Sequence, residues 1–356
     1  MIKSTLLRIC SREATSFHRS LSSLPFKPRR SLMYVPGNDE RKVGKIPELG
    51  ADCVCLDCED GVAVNMKETA RLNIRSILDS QNINFGKVRI SIFNIIYCVV
   101  LIFLKNNVVS KFLIKYFSQS ECSVRVNGVE SGLCEEDLKT VLGGHNLPSS
   151  IHLPKVKDRE ELELVWNVVE SVVGPGRGSM GLIMFIETAR SLLDVDKICS
   201  DAWELAARPG SVLCPVALVF GSDDFAADVG ATRTKSNVEL MLARQMVVTA
   251  AKAHKLQAID AVYIDYRDSE GLRRQSEEGA GWGFTGKQVI HPGQIEIVQS
   301  AFTPSRERLE WARQLMQAWH HHQSTGQGAF TFRGHMIDMP TVKQAQNVID
   351  THDQTS

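Results

Sequence analysis

The chain has no surplus of charge of either sign: 41 Lys and Arg stand against 41 Asp and Glu in 356 residues. With no long basic run either, it lacks the electrostatic footprint of a nucleic-acid or anionic-membrane binder, and small molecules are the expected partners. No apolar run is long enough to cross a bilayer. Residues 90–104 come nearest, at about fifteen residues against the ~20 that a helical span requires. Cysteine occurs nine times but without metal spacing: the one cluster, Cys53, Cys55 and Cys58 in DCVCLDCED, has no second pair or nearby His. A buried strand of small apolar thiols explains it better than zinc. Acids are nearly missing from the first thirty residues, where Glu13 stands among several Arg, Lys and Ser. With Leu and Ile spaced for one face of a basic helix, residues 1–30 have the composition of a mitochondrial transit peptide rather than a signal peptide. A disordered tail is the other reading. A mature chain starting near residues 25–31, in a reducing compartment such as the matrix, would suit the free thiols.

What is present is an ordinary globular composition, 43% hydrophobic, arranged as eight short apolar runs bounded by turn residues. They are SLMYVPG, CVCLDCED, CSVRVNG, SIHLPKV, GLIMFIET, PVALVFGSDD, AIDAVYIDY and GFTGKQVIHP. Helical patterns separate them at 65–79, 135–142, 158–172 and 235–254. Eight β-α units predict an α/β fold of the TIM (β/α)8 barrel type over residues 31–302, with a doubly wound sheet as the other arrangement. A C-terminal helical extension over 303–356 follows, including a helix near 304–322. The His320–His322 triplet at its end reads as a solvated helix end, because successive helical residues point in different directions. The barrel is favoured by the polar ends of the strands: Asp57, Glu59 and Asp60; Arg125 and Asn127; Lys155; Glu187 and Thr188; Asp223 and Asp224; Asp265; His291. Barrels carry their chemistry at the C-terminal ends of their strands.

Glu187 and Asp224 close successive strands, within reach of one shared ion. Two carboxylates completed by water and substrate oxygens are a usual way to hold Mg²⁺. Each acid also stands where it could cap the following helix, and the residues alone leave the two roles open. Arg125 could stabilise a carboxylate or a developing enolate, or pair with Asp57 or Glu59. Tyr34, Arg41 and Lys45, beside the first strand, are placed to meet an anionic, phosphate-rich ligand.

The motifs SLMYVPGND, VCLDCEDGV, VRVN, LPKV, FIETA, FGSDDFAADVGA, QAIDAVYIDYRD, GFTGKQVIHPGQI and GAFTFRGHMIDMP, in this order, resemble the citrate lyase beta-subunit and malyl-CoA lyase group. The resemblance covers residues 30–350 apart from one segment. It implies a homotrimeric, Mg²⁺-dependent TIM barrel with a C-terminal extension, cleaving citramalyl-CoA to acetyl-CoA and pyruvate and capable of malate-synthase-like condensations. Carried over by position, it implies Glu187 and Asp224 as Mg²⁺ ligands, with Asp223 standing where relatives commonly have Glu. Tyr34, Arg41, Lys45, Arg125, Ile290 and His291 fall on substrate or CoA contacts; Arg41 replaces a Lys of close relatives, keeping charge but not geometry. Asp338 matches the catalytic acid/base, lent to a neighbouring subunit's site. On this reading Arg125 stabilises charge on the thioester oxygen, Asp338 moves the proton at the enolate carbon, and no nucleotide or flavin is needed.

Residues 82–117 depart from the group, which passes from helix to strand by a short linker there. Rich in Ile, Phe, Asn, Lys and Tyr, they have the composition of translated A/T-rich noncoding sequence. An apolar insertion inside a barrel invites aggregation or membrane adhesion. The alternative it raises is an inactive or membrane-associated isoform; another is a related Mg²⁺ barrel forming enolates from a keto acid.

Overall fold

The computed structural model describes residues 24–80, 120–174, 177–323 and 330–355. Most of the expected transit segment, the whole 82–117 segment and the Gly-rich stretch at 324–329 lie outside the described residues. Eight parallel strands close into a barrel in chain order: β1 (Ser31–Pro36), β2 (Cys53–Asp57), β3 (Glu121–Arg125), β4 (Ser150–Leu153), β5 (Met180–Ile186), β6 (Leu213–Phe220), β7 (Gln257–Asp260) and β8 (Gly286–Val289). Closure comes from β1 pairing with β8, Ser31 opposite Lys287. The expected TIM barrel is therefore the fold, and helices surround it.

Alternation along each strand divides the apolar residues into two layers. Leu32, Cys53, Cys55, Ile183, Phe185, Ala217, Val219 and Ile259 fill the barrel interior. Met33, Val54, Leu56, Val124, Leu182, Met184 and Leu218 belong to the larger layer beneath the helices. With both faces covered, a strand such as MGLIMFI is buried at every position, which is why it reads as a continuous apolar run. Cys53 and Cys55 point inward while Cys58 packs in the outer layer, so the cysteine cluster is a strand and its exit. The amino-terminal end of the barrel is plugged by the buried Arg29–Glu121 ion pair, to which Ser150 Oγ donates at 3.0 Å. At the seam a Cβ on Gly286 would lie 1.8 Å from the Arg29 carbonyl oxygen; only glycine permits that approach.

Two elements differ from expectation. β7 leaves the sheet after Asp260, so Asp265 lies in the following loop rather than at a strand end. Asp260 is wholly buried, gripped by Arg244 at 2.9 and 3.0 Å and by Lys287 at 3.2 Å, and this polar knot under the helices ends the strand. The helix expected over 235–254 is a 3-10 turn at Val238–Leu240 followed by Met241–Ala253; Asn237 is left-handed, with φ 51°, and delays its start.

After β8 the chain forms helix Ile295–Ala301 and then the helix Arg306–Gln323, a hairpin of β9 (Phe330–Phe332) and β10 (His335–Ile337), and a last helix, Met339–Thr355. The hairpin turns through Arg333 and Gly334, both left-handed, the arrangement that suits a two-residue turn. Ala312, Leu315, Trp319, Ile337, Val342 and Ala345 form a core of their own, separate from the barrel's. His322 packs its ring 5.0 Å from that of Phe330, so this end of the triplet is a packing contact. No helix among the described residues is long and apolar enough to cross a membrane.

Candidate active site

The carboxyl ends of β1 to β6 gather one connected set of charges. Asp57 and Arg125 are register partners on β2 and β3, and the guanidinium grips the carboxylate at both oxygens, 2.7 Å each. Burial alone would raise the Asp57 carboxyl, but the guanidinium, together with the amides of Glu59 and Gly61 that donate to it, outweighs burial and holds the group below its ordinary range. Arg125 also reaches Glu59 Oε2 at 3.0 Å and Asp60 Oδ2 at 3.5 Å, with the Tyr34 ring 4.7 Å from its centre. Tyr34 donates to Gln288 Oε1 at 2.9 Å, and Gln288 donates to the carbonyls of Phe220 and Asp260. Arg125 thus makes the acid pairings read from sequence, and those pairings fix its fork in orientation.

The two roles left open for the acids after β5 and β6 are separated by who caps what. Thr188, not Glu187, caps helix Ala189–Leu193 in a reciprocal arrangement with Ser191. The helix Ser222–Asp228 begins at Gly221 without a side-chain cap, so Asp224 is in its first turn but caps nothing. Glu187 turns inward and accepts from the Lys155 amide at 2.7 Å. It is 3% exposed; burial, and after it the charges of Glu59 and Asp224, push its carboxyl up to about 8. Asp224 is half-buried and also raised, by burial first, against the lowering pull of Lys155. Asp223 has a separate partner, Arg233, at 2.5 Å. One aspartate of the pair is therefore neutralised, and the other faces the site.

Ile186 and Phe220 are register partners, so Glu187 and Gly221 leave adjacent strands side by side. A Cβ on Gly221 would lie 2.2 Å from Glu187 Cγ and Oε1; the glycine is the space into which Glu187 folds. Lys155, left-handed at φ 53°, sends its ammonium to Glu59 at 3.1 Å, Asp60 at 3.8 Å and Asp224 at 3.9 Å. Gly221 and Gln288 are site-building residues that the sequence did not single out; a glycine after an apolar strand and a polar residue within one are ordinary by themselves.

The remaining expected contacts are spread around the same rim. Arg41 and Lys45 are exposed on the short helical turns after β1. Ile290 is exposed and donates its amide to Gln294. His291 accepts from the Gly293 amide at 3.1 Å and stacks on Tyr266, 4.7 Å between ring centres. Tyr266 carries Arg267 5.3 Å from its ring centre, an aromatic and cationic surface that AVYIDYRD gave no separate signal for. Asp338 is not on the barrel rim of its own sequence neighbourhood: it begins the last helix in the extension, accepting from the Thr341 amide at 3.1 Å and the Thr341 hydroxyl at 2.8 Å. Those bonds hold its carboxyl below the ordinary range.

Among the described residues no group of three or more His, Cys, Asp or Glu side chains is arranged to hold a metal ion. Glu187 and Asp224 instead make an oxygen-only pair, within a cluster whose acids (Asp57, Glu59, Asp60, Glu187 and Asp224) outnumber the cations Arg125 and Lys155. Such a donor set, with Glu187 inclined to take a proton because it is buried beside other acids, fits a small hard dication completed by water or substrate oxygens.

The pattern of the HpcH/HpaI aldolase/citrate lyase family matches residues 30–90 and 107–292. Its interruption falls inside the 82–117 segment. The chain is 46% identical to the mitochondrial citramalyl-CoA lyases of Mus musculus and Homo sapiens, over 93% of its length and 88% of theirs. CitE from Mycobacterium tuberculosis, solved in complex with magnesium, acetoacetate and coenzyme A, shares the fold with a TM-score of 0.65 at 24% identity, covering 92% of this chain and 98% of that one.

Proposed function

The chain belongs to the HpcH/HpaI aldolase/citrate lyase family, and from that premise we propose that it is an Mg²⁺-dependent lyase cleaving citramalyl-CoA to acetyl-CoA and pyruvate. The observation that carries the reading is the inward Glu187, uncommitted to its helix, beside an Asp224 that caps no helix and does not share Asp223's partner Arg233. Relatives that are 46% identical and named for this substrate and for the mitochondrion support it. A matrix location and a homotrimer complete the proposal.

Glu187 and Asp224 would hold the metal, which when bound supplies Lewis acidity toward the hydroxy-acid end of the substrate. Arg125, fixed by Asp57 and backed by Tyr34, is oriented to meet negative charge on the thioester oxygen as the carbon–carbon bond breaks toward the α-carbon. The bonding pair leaves with the α-carbon of the thioester, the hydroxyl gives up its proton to solvent as its oxygen becomes the keto oxygen of pyruvate, and one proton is delivered to the α-carbon, so protons balance. Asp338 of a neighbouring chain relays a proton from solvent to that carbon, or removes it in the condensing direction. Arg41, Lys45, Ile290 and His291 offer the coenzyme A part cationic and apolar contacts on the rim.

Purified chain given citramalyl-CoA should form acetyl-CoA and pyruvate in equal amounts, lose both on chelation with EDTA and recover them with MgCl2. Turnover of a CoA-free keto acid instead, or a soluble folded protein with no lyase activity, would overturn the reading. The Glu187 carboxyl, pushed up to about 8, also sets a pH dependence. Below that pH it holds a proton which a cation must displace, so Mg²⁺ affinity should rise roughly tenfold per pH unit from 6 towards 8 and level off above, with a proton released on binding. Calorimetry in buffers of different ionisation enthalpy would measure this; affinity flat across the range would remove Glu187 from the metal.

A further inference from the structure

Lys155 touches acids that follow three different strands. Its backbone amide donates to Glu187, which follows β5, while its ammonium reaches Glu59 and Asp60 after β2 and Asp224 after β6. Both uses depend on the left-handed backbone at φ 53°, a conformation that a lysine keeps only where its surroundings over-determine it. The distances are graded: Glu59 at 3.1 Å is a hydrogen-bonded partner, whereas Asp224 at 3.9 Å is a looser one. An ammonium so placed can draw back onto Glu59 and leave Asp224 without breaking its principal bond.

We propose that Lys155 is a built-in competitor of the divalent cation: its ammonium holds the acid cluster together without the metal and yields Asp224 when the metal binds. The inference rests on the reading of Glu187 and Asp224 as the metal ligands. Its consequence is that this protein binds Mg²⁺ more weakly than its acids alone would, and that Lys155 sets that affinity as a positioning residue. The ammonium costs the incoming dication a like-charge repulsion at short range, and its loss leaves more negative charge for the metal to neutralise.

The test is calorimetric titration of the substrate-free full chain with MgCl2 at pH 8.5. Lys155→Met should bind Mg²⁺ roughly tenfold more tightly, and Lys155→Arg, which keeps the charge, about as the parent does. Lys155→Gly serves as the second variant, because it keeps the amide and tolerates the left-handed backbone; it too should bind more tightly. Unchanged or weaker binding in the folded Met and Gly variants overturns the proposal, and so does failure of both to fold, which would make Lys155 part of the scaffold. Asp224→Asn separates the two levels: if parent and Asp224→Asn bind Mg²⁺ alike, the metal reading itself fails; if Asp224→Asn loses binding while the Lys155 variants do not gain it, only this inference does.

Discussion

Replacing Asp338 with Asn should lower turnover of citramalyl-CoA by about 10²- to 10⁴-fold, the range general acid–base groups contribute, while Mg²⁺ affinity and the melting curve stay where they were. The structure makes this a clean substitution. Asp338 opens the helix Met339–Thr355 by accepting from Thr341, and Asn serves that position as well as Asp does. The amide keeps the helix start and loses only the ability to carry a proton. A folded Asp338→Asn enzyme with retained activity would reject the assigned role. The proposed lending of Asp338 between subunits has its own readout: mixing inactive Asp338→Asn with inactive Glu187→Gln after dissociation should restore part of the activity, since a mixed assembly would combine an intact rim from one chain with an intact Asp338 from another. No recovery in confirmed mixed assemblies would place the acid and the metal site in the same chain.

Gly221→Ala is expected to cost about 10²-fold in turnover, the scale of a 1 Å misplacement of catalytic groups, through a methyl group that touches no substrate. The added Cβ would stand 2.2 Å from Glu187 Cγ and Oε1, and neither the β6 exit nor the β5 exit can give way without loosening their shared register, Ile186 opposite Phe220. Glu187 must swing out, breaking its bond from the Lys155 amide. Mg²⁺ affinity should fall together with turnover, which distinguishes this variant from Asp338→Asn. Wild-type turnover and metal binding in Gly221→Ala would show that Glu187 does not need that space.

The barrel was legible because each of its staves is covered on both sides. Runs such as MGLIMFI and CVCL are apolar throughout, and the acids Asp57, Glu187 and Asp224 stand where such a stave meets the rim. β7 was overextended because Ala261, Val262 and Tyr263 continue the apolar pattern, while the chain's departure is decided by Asp260, Arg244 and Lys287, which belong to three different elements. The site was legible as a list of residue types at strand ends, but its decisions were not. Whether Glu187 caps a helix depended on Thr188 and Ser191 doing so first. The part played by Gly221 exists only once two strands lie side by side, and the twist at Lys155 has no signature in LPKV. In the extension, FTF and HMI are strands of three residues, too short for periodicity to reveal, so the frame that presents Asp338 could not be read from local pattern.

The seam between β1 and β8 shapes how this chain can be made. The first stave is synthesised long before the partner that covers its free edge, and the Arg29 carbonyl waits for the Gly286 backbone it will lie against. A nascent chain therefore presents an unpaired strand edge for most of its translation. Until the eighth stave arrives, the β1 edge is the region that a holding factor on the ribosome would have to shield.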